Sequence, residues 1–234
     1  MKIPVTIAEI RQETPTVKSF TLDLGGQDFR FLPGQWLDCC LEASGKIEVA
    51  GYSMTSSPLT KATIQIAVKL VGENPVTNYL HHKAKIGDTL YIEGGSGDFF
   101  YEKGMGGSLV LIGGGIGITP LMSIVRYVDD VCPDARLTLF YSAPAPSALI
   151  FRDRLSEIAA RNSNIRCIFT VTGNFSEPWE GHTGRIDADL LQQEDIDLGA
   201  LFYVCGPPQM IQDVVATLTR IGVASSHINY EQWW

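Results

Sequence analysis

Four glycines lie between residues 113 and 117, after an apolar run at residues 109–112 and before an amphipathic run at residues 121–128. This order predicts a buried strand, a tight turn and a helix. At such a turn, backbone N–H groups and the positive end of the helix dipole converge, which favours a bound phosphate. The spacing does not fit G-x-G-x-x-G, so the standard dinucleotide fingerprint does not describe it. Close strand–helix packing is an alternative use of the glycines.

A second turn of this kind is formed by Cys205-Gly206-Pro207-Pro208, which follows the apolar run at residues 201–204. In an open α/β sheet, ligands bind at the carboxyl ends of the strands. Both turns would therefore face one crevice, which a dinucleotide could bridge from its pyrophosphate to its nicotinamide. Taken alone, the second turn is better explained as a rigid strand–helix connection, and its pairing with the first turn favours binding.

A third group of candidate residues lies in the first half of the chain. Tyr52 offers a flat ring with a polar tip, and Ser53 and nearby hydroxyl groups can hydrogen-bond to the edge of a heteroaromatic ring. The predicted helix start at Pro75-Val76-Thr77 offers a second anion site. Strand tyrosines more often serve packing, and a Ser/Thr cluster before proline more often forms a turn. From these residues alone, a flavin site is one possibility among several.

The chain up to about residue 103 has the pattern of short strands separated by turns. Spacings of roughly ten to fifteen residues between most strand starts are typical of an antiparallel barrel. Asn74-Pro75 predicts a helix start, with Asn as the N-cap and Pro at the first helical position. The predicted strands span residues 5–12, 17–24, 35–41, 47–53, 63–71 and 89–93.

After residue 107 the pattern changes to alternating strands and helices, which predicts a parallel sheet with helices on both faces. The glycine-rich joint at residues 102–107 suits an interdomain hinge, and we predict domains at residues 1–103 and 104–234. The predicted strands span residues 109–112, 137–142, 165–170 and 201–204, and the predicted helices span residues 121–131, 149–161, 186–191 and 208–221.

Composition narrows the class of protein. The 234 residues are 45% apolar and 19% charged, which is typical of a globular protein. The net charge of −8 argues against a nucleic-acid partner. The cysteines lack the spacing of a metal or iron–sulfur set, so no metal is predicted. Neither a secretory signal nor an apolar run long enough to span a membrane is visible, and we expect a cytoplasmic protein.

Taken in order, the motifs resemble those of the ferredoxin–NADP reductase superfamily over nearly the whole chain. They are Phe31-x-Pro33-Gly34-Gln35, Tyr52-Ser53, the glycine-rich residues 113–120 and Cys205-Gly206-Pro207-Pro208. Residues 51–58 and 229–234 are most similar to the group of oxidoreductase NAD-binding domain-containing protein 1. The resemblance implies a two-domain β + α/β protein. An N-terminal antiparallel flavin-binding β-barrel would bind FAD, and a following parallel-sheet α/β nucleotide-binding domain would bind NAD(P)H.

The resemblance also implies roles for individual residues. Tyr52 would stack on the isoalloxazine, Ser53 would hydrogen-bond near flavin N5, and Trp234 or Trp233 would cover the flavin. The implied catalytic residues are Ser53 and Cys205, as positioning groups, and Glu231, as a proton or charge partner. The candidate cofactor-binding residues are Tyr52, Ser53, Met54, Lys69, Val76, Thr77 and Trp234 for the flavin, and Gly113, Gly114, Gly115, Gly117, Thr119, Pro120, Cys205, Gly206 and Pro207 for the nicotinamide dinucleotide.

One position departs from the family pattern. The family usually has arginine two residues before the Tyr-Ser pair, where it binds a flavin phosphate, and this chain has Ala50 there. Loss of such a charge-assisted contact would cost about 1.5–3 kcal/mol, or roughly ten- to a hundredfold in flavin affinity. Lys69 could compensate for this loss, or it could be a solvated strand lysine.

The choice between NADH and NADPH stays open at this point. The predicted second strand of the C-terminal sheet ends around residues 140–143 without an acid that could bind a ribose 2′-hydroxyl. Arg152 and Arg154 could meet a 2′-phosphate, although Arg154 could equally pair with Glu157 one helical turn later.

These features predict a flavin-dependent NAD(P)H oxidoreductase. It would pass hydride from NAD(P)H to FAD and then electrons to an unidentified acceptor, which is a protein or a small molecule. One alternative is an NAD(P)H:flavin reductase that releases reduced flavin, which Ala50 and the lack of an iron–sulfur motif favour. A second alternative is a non-catalytic subunit with a decayed flavin site, against which the intact glycine turns count.

Overall fold

The computed structural model describes residues 2–43 and 45–232 of the chain. They form two compact units. The first comprises the chain up to Tyr101 together with Met122–Tyr127, and the second comprises Glu102–Leu121 and the chain from Val128 onward. The predicted boundary between residues 103 and 104 stays a prediction.

The first unit is built on six antiparallel strands. They are β1 (Ile3–Thr14), β2 (Val17–Asp23), β3 (Trp36–Ala43), β4 (Lys46–Ser53), β5 (Thr63–Lys69) and β6 (Thr89–Ser96), in the order β4-β3-β6-β1-β2-β5. In β1, every second side chain from Ile3 to Ile7 is buried, because alternate residues of a strand face the same side. An antiparallel bridge between Met54 and Ile66 links the segment after β4 to β5 at the other edge. Helix α1 (Pro75–His82) buries Val76 and Leu80 in the same core.

The second unit is built on six parallel strands. They are β7 (Ser108–Gly114), β8 (Arg136–Ala143), β9 (Ile165–Val171), β10 (His182–Thr183), β11 (Leu201–Cys205) and β12 (Ile228–Glu231), in the order β10-β9-β8-β7-β11-β12. The chain runs outward from β7 in one direction and resumes at β11 on the other side. The strand order therefore reverses between β7 and β11, and ligands of open α/β sheets bind at such a point.

The helices α2 (Ile118–Val131), α3 (Arg152–Arg161), α4 (Ala188–Gln193) and α5 (Pro208–Arg220) alternate with these strands. The predicted fold class, an antiparallel sheet followed by a parallel-sheet α/β unit, is confirmed. Among the described residues, no helix has both the length and the apolar character needed to cross a bilayer.

Several element bounds differ from the sequence prediction. Helix α2 begins at Ile118 rather than at residue 121, because Pro120 lies in its first turn, where its missing N–H costs nothing. Helix α3 begins at Arg152 rather than at residue 149, because Phe151 adopts a left-handed conformation with φ of 62°. The strands β10 and β12 are short, with two and four residues, and were not predicted.

Candidate functional site

The first glycine turn follows β7 and packs directly against the second. Gly115–Gly117 forms a single 3-10 turn that leads into α2. A Cβ at Gly117 would overlap the carbonyl oxygen of Cys205, and a Cβ at Gly114 would overlap the Sδ atom of Met210. A Cβ at Gly206 would lie 3.1 Å from the Gly114 nitrogen. The glycines therefore let the two turns approach more closely than any other residue would permit.

Gly115 serves a different purpose from its neighbours. Its φ is +55°, in the left-handed region, and a Cβ there would meet nothing within 4 Å. The Tyr141 hydroxyl donates a hydrogen bond of 3.1 Å to the Gly115 carbonyl. Burial raises the pKa of Tyr141, so its phenol stays a donor at neutral pH. The sequence prediction missed Tyr141, although its position near the carboxyl end of β8 was a signal.

The turn into α2 leaves its backbone donors without a side-chain cap. Within residues 2–43 and 45–232, no side chain accepts from the N-terminus of the 3-10 turn or of α2. The Thr119 hydroxyl is buried and donates a 2.9 Å hydrogen bond to the Ile116 carbonyl, so it fixes the turn. Pro120 lies in the first turn of α2. This uncapped turn, with open space at Gly115, fits a dinucleotide phosphate.

The second turn connects β11 to α5. Gly113, Cys205 and Glu231 are register neighbours on the adjacent strands β7, β11 and β12. Burial, and secondarily the Glu231 carboxylate, raise the pKa of the Cys205 thiol. Cys205 is therefore a neutral, buried thiol and not a thiolate nucleophile. Pro207 precedes α5 and caps it without a side-chain hydrogen bond.

In the first unit, Tyr52 lies at the end of β4. Its ring packs against the barrel core, and it pairs with Leu37 across the sheet. The Tyr52 and Thr77 hydroxyls share a hydrogen bond of 2.9 Å, which joins β4 to α1. Burial raises the pKa of Tyr52, so the phenol remains neutral. Ser53 pairs with Trp36 and is buried.

The start of α1 is already satisfied from within the chain. The Asn74 side-chain oxygen accepts from the Val76 nitrogen at 2.9 Å and from the Thr77 nitrogen at 3.1 Å. The Asn74 carbonyl accepts from the Asn78 nitrogen at 3.0 Å, and Pro75 has no N–H. The predicted N-cap is confirmed, but its side chain uses the amides that the sequence also assigned to a flavin phosphate. A phosphate would have to displace Asn74 to bind Val76 and Thr77 here.

Ala50, at the position of the family's phosphate-binding arginine, and Lys69, which could compensate for that arginine, lie on different strands. Ala50 is half-buried, packs against the barrel core and pairs with Cys39. Lys69 ends β5 opposite Val17, and its side chain is exposed. Trp233 and Trp234, the predicted flavin cover, lie outside the described residues.

The segment that follows Ser53 is held by two residues that the sequence prediction missed. Ser123, fully buried, donates a 2.7 Å hydrogen bond to the Ser56 carbonyl. Arg126 donates to the Thr55 carbonyl at 2.8 Å and to the Gln65 side-chain oxygen at 2.7 Å. These contacts lie within the first compact unit. They fix the backbone just after Tyr52 and Ser53.

Two family models match this chain. An oxidoreductase FAD-binding domain matches residues 4–101, and an oxidoreductase NAD-binding domain matches residues 111–216. The fold and these two domains define a flavoprotein reductase, an enzyme whose cofactors are FAD and a nicotinamide dinucleotide. The predicted enzyme class and cofactors are confirmed.

The chain is 32% identical to oxidoreductase NAD-binding domain-containing protein 1 of Danio rerio, over 97% of this chain and 90% of the relative. It is 31% identical to a glycine betaine monooxygenase reductase subunit of Chromohalobacter salexigens, over 98% of this chain and 63% of the relative. It superposes on the FAD/NAD-binding domain of a Vibrio cholerae nitric oxide dioxygenase with a TM-score of 0.88 and 25% identity, covering 99% and 98% of the two chains. The chain belongs to the ferredoxin–NADP reductase superfamily and, within it, to the family of oxidoreductase NAD-binding domain-containing protein 1.

Proposed function

We propose that this chain is a flavin-dependent NAD(P)H oxidoreductase that passes hydride from NAD(P)H to FAD and then electrons to an acceptor. The observation that carries the proposal is the direct packing of the two glycine turns. Gly117 lies against Cys205, and Gly113, Cys205 and Glu231 occupy one row across β7, β11 and β12. This row lies where the strand order reverses, and the FAD-binding domain precedes it in the chain.

We assign the division of labour as residues 1–103 for FAD and residues 104–234 for NAD(P)H. When bound, the two cofactors supply the redox chemistry, and the protein supplies orientation and electrostatics. For the nicotinamide dinucleotide, the uncapped turn at Gly115 receives the pyrophosphate. The turn is shaped by Gly113, Gly114, Gly117, Thr119 and Pro120. Cys205, Gly206 and Pro207 border the nicotinamide.

For the flavin, we propose that the Tyr52 ring supports the isoalloxazine and that Ser53 positions its edge, with the buried Met54 next to them in the chain. The Thr77 hydrogen bond fixes the Tyr52 hydroxyl, and Ser123 and Arg126 fix the backbone of the following segment. Glu231 is the proposed charge partner near the nicotinamide end. A general base is not needed, because hydride transfer moves no proton from the carbon that reacts.

The electron acceptor is a protein or a small molecule. One relative is named as the reductase subunit of a glycine betaine monooxygenase. An oxygenase partner is therefore one class of acceptor protein for this chain.

An anaerobic titration tests the proposal. The purified protein is supplied with FAD, and the flavin absorbance is followed after addition of NADH or NADPH. Bleaching that requires the protein is expected, and the same FAD and donor without protein serve as the control. If the protein takes up FAD but neither donor bleaches it, the oxidoreductase proposal is wrong. If it takes up no flavin, the decayed, non-catalytic subunit is the better description.

A second candidate is an NAD(P)H:flavin reductase, in which flavin is a substrate that leaves after reduction. Two observations favour it. Ala50 stands at the position of the usual phosphate-binding arginine, and Asn74 occupies the Val76 and Thr77 amides. Both features weaken binding of the flavin phosphates while leaving Tyr52 and Ser53 for the ring.

Flavin affinities separate the two candidates. Fluorescence titrations with FAD, FMN and riboflavin measure how much the phosphates and adenosine contribute. Nearly equal affinities and a colourless purified protein are expected for the flavin reductase. Tight retention of FAD alone through purification supports the electron-transferring reductase.

A further inference from the structure

Two loops that follow neighbouring strands meet through one carboxylate. One loop leaves β8 at Ala143, and the other leaves β9 at Val171. Glu177 in the second loop accepts hydrogen bonds from Ser147 in the first. One carboxylate oxygen accepts from the Ser147 nitrogen at 2.9 Å, and the other accepts from the Ser147 hydroxyl at 2.7 Å.

Backbone contacts closer to the strands hold the same two loops together. The Thr172 nitrogen donates to the Ala143 carbonyl at 3.0 Å, and the Gly173 nitrogen donates to the Pro144 carbonyl at 2.9 Å. A Cβ at Gly173 would lie 2.6 Å from the Pro144 carbonyl oxygen, so glycine permits this approach. The position of Glu177 beside Ser147 thus follows from a paired loop and not from one flexible side chain.

This carboxylate lies on the loops at the carboxyl ends of the strands, the edge where open α/β sheets bind nucleotides. In dinucleotide sites, an acidic residue beyond the second strand accepts a hydrogen bond from the ribose 2′-hydroxyl of NAD. The same charge repels the 2′-phosphate of NADP, because like charges at short range disfavour each other. The end of β8 itself has no acid. Glu177, which lies 30 positions after Ser147 in the sequence, supplies a carboxylate to the loop that follows β8 through its contact with Ser147.

We propose that Glu177 is a specificity-determining residue that makes this enzyme prefer NADH to NADPH. The proposal rests on the proposed function, since it assigns the ribose end of the same dinucleotide site. Each oxygen of Glu177 has a further lone pair beside its bond to Ser147, so the carboxylate can still accept from a hydroxyl.

One of the two arginines that the sequence offers to a 2′-phosphate, Arg152, is held by neighbouring side chains. The Arg152 guanidinium lies 6.0 Å from the centre of the Trp179 ring and 3.6 Å from the Asp153 carboxylate. Trp179 is itself fixed, because its indole N–H donates to the His182 carbonyl at 2.8 Å. Arg154 is exposed on α3. The arrangement holds Arg152 on an aromatic face, while the carboxylate of Glu177 is fixed on the loop pair.

Calorimetric binding tests the proposal without any turnover. The purified protein is titrated with NAD⁺ and NADP⁺, and with ADP and 2′,5′-ADP, which lack the nicotinamide. We expect the wild type to bind NAD⁺ at least about tenfold more tightly than NADP⁺, with the same order for the fragments. In Glu177→Gln, which keeps the size but removes the charge, the preference should fall below about threefold, chiefly through tighter NADP⁺ binding.

Glu180→Gln is the matched control, because it removes the same charge from the same loop without the contact to Ser147. It should keep the wild-type preference. A Ser147→Ala variant, which keeps the carboxylate but removes one of its hydrogen bonds, should lower NAD⁺ affinity and still disfavour NADP⁺. Thermal unfolding of each variant reports whether the loop pair is intact.

Equal wild-type affinities for NAD⁺ and NADP⁺ would overturn the proposal, as would an unchanged preference in a folded Glu177→Gln variant. These titrations need no flavin reduction. Failure of the oxidoreductase proposal, seen as absent bleaching, is therefore distinguishable from failure of the specificity proposal. Binding of none of the four ligands would contradict both.

Discussion

At two helix starts in this molecule, the first-turn backbone amides lack acceptors within the helix, and the two starts treat these amides differently. At α1, the Asn74 side chain and backbone accept from the amides of the first turn, and Pro75 contributes none. At the 3-10 turn before α2, no side chain in the described part of the chain caps the backbone, and Gly115 leaves open space beside it. The first start is closed by the chain itself, and the second is open to a ligand.

The residue types explain this difference. Asparagine is short enough to turn its side-chain oxygen back onto the amides of the first turn, so it is a preferred N-cap. Glycine has no side chain to do so, and Gly115 adopts a left-handed conformation there without strain. The comparison teaches that a helix start predicts an anion site only when its cap leaves the donors free.

The comparison predicts unequal cofactor sites. In the proposed dinucleotide site, the phosphates would meet backbone donors at the 3-10 turn that no side chain of the described residues caps. In the proposed flavin site, by contrast, the phosphates would meet a helix start whose amides Asn74 already occupies, and Ala50 in place of a cation. Flavin binding should therefore depend mainly on the ring contacts of Tyr52 and Ser53.

The largest expected effect is at the open turn. Gly117→Ala places a methyl group on the Cys205 carbonyl oxygen, which is backbone and cannot rotate away. We expect about 3 kcal/mol lower stability and loss of NAD(P)H binding. Chemical denaturation and a nucleotide titration measure the two effects.

Gly115→Asn is the informative partner of that variant. Asparagine tolerates the left-handed conformation, and a side chain there meets nothing within 4 Å. Stability should change by less than about 1 kcal/mol, while dinucleotide binding weakens because the side chain fills the open space. Unchanged dinucleotide affinity in Gly115→Asn would break the comparison, since the open turn would not be the phosphate site.

The next largest effect is expected at the proposed flavin-phosphate site, where Ala50 stands in place of the family's arginine. Ala50→Arg restores the cation of the family pattern and should raise FAD affinity about ten- to a hundredfold. Riboflavin affinity should not follow, because riboflavin has no phosphate. Ala50→Met controls for side-chain length without charge. If FAD binding of Ala50→Arg stays at the Ala50→Met level, the missing arginine is not what limits the flavin site.

The fold itself was predictable from periodicity and punctuation. The period-two pattern of β1 and the continuous apolar run in β7 identify an antiparallel and a parallel sheet, because burial on one or both faces leaves different traces in sequence. The strand β12 was missed since its four residues are only partly buried or exposed and lack either trace.

The candidate site was predictable only where its residues are neighbours in sequence. The glycine turns are recognisable in the sequence because their glycines are close together. In contrast, Ser123 contacts Ser56 across 67 positions, and Glu177 contacts Ser147 across 30. Such pairs depend on the register of distant strands, which composition does not encode locally. From the sequence, the Val76 and Thr77 amides of α1 had two predicted acceptors, the Asn74 cap and a flavin phosphate. The structure shows that Asn74 accepts from both amides.

A smaller effect should follow from opening the α1 start. Asn74→Gly frees the Val76 and Thr77 amides and costs only about a few tenths of a kcal/mol of stability. FAD affinity should rise about two- to tenfold, since each net hydrogen bond contributes about 0.5–1.5 kcal/mol. Fluorescence titration with FAD and riboflavin measures this change.

Asn74→Asp provides the opposite case. It keeps the capping oxygen and adds a negative charge at the same place, so FAD affinity should fall while riboflavin affinity holds. Parallel changes for FAD and riboflavin in both variants would show that the cap acts on the ring contacts and not on the phosphates.

The smallest expected effect lies at the other end of α1, which is also closed from within the chain. His81 is buried, and its Nε2 lies 2.9 Å from the Val68 carbonyl, to which it donates; Lys18 donates to the His81 carbonyl at 2.7 Å. Burial lowers the pKa of His81 below its usual 6.5; the hydrogen bond to Val68 partly opposes this shift, and the Lys18 and His82 charges add to it. The unfolded chain therefore binds the proton more readily than the folded one. This contribution to stability is then fully present above pH 6.5 and decreases as the pH falls toward the folded-state pKa.

In His81→Gln, whose amide can still donate to Val68, this part of the pH dependence should disappear, and denaturant unfolding between about pH 5 and 7 measures it. An identical pH slope in the variant would mean that α1 is not closed at this end by a neutral histidine.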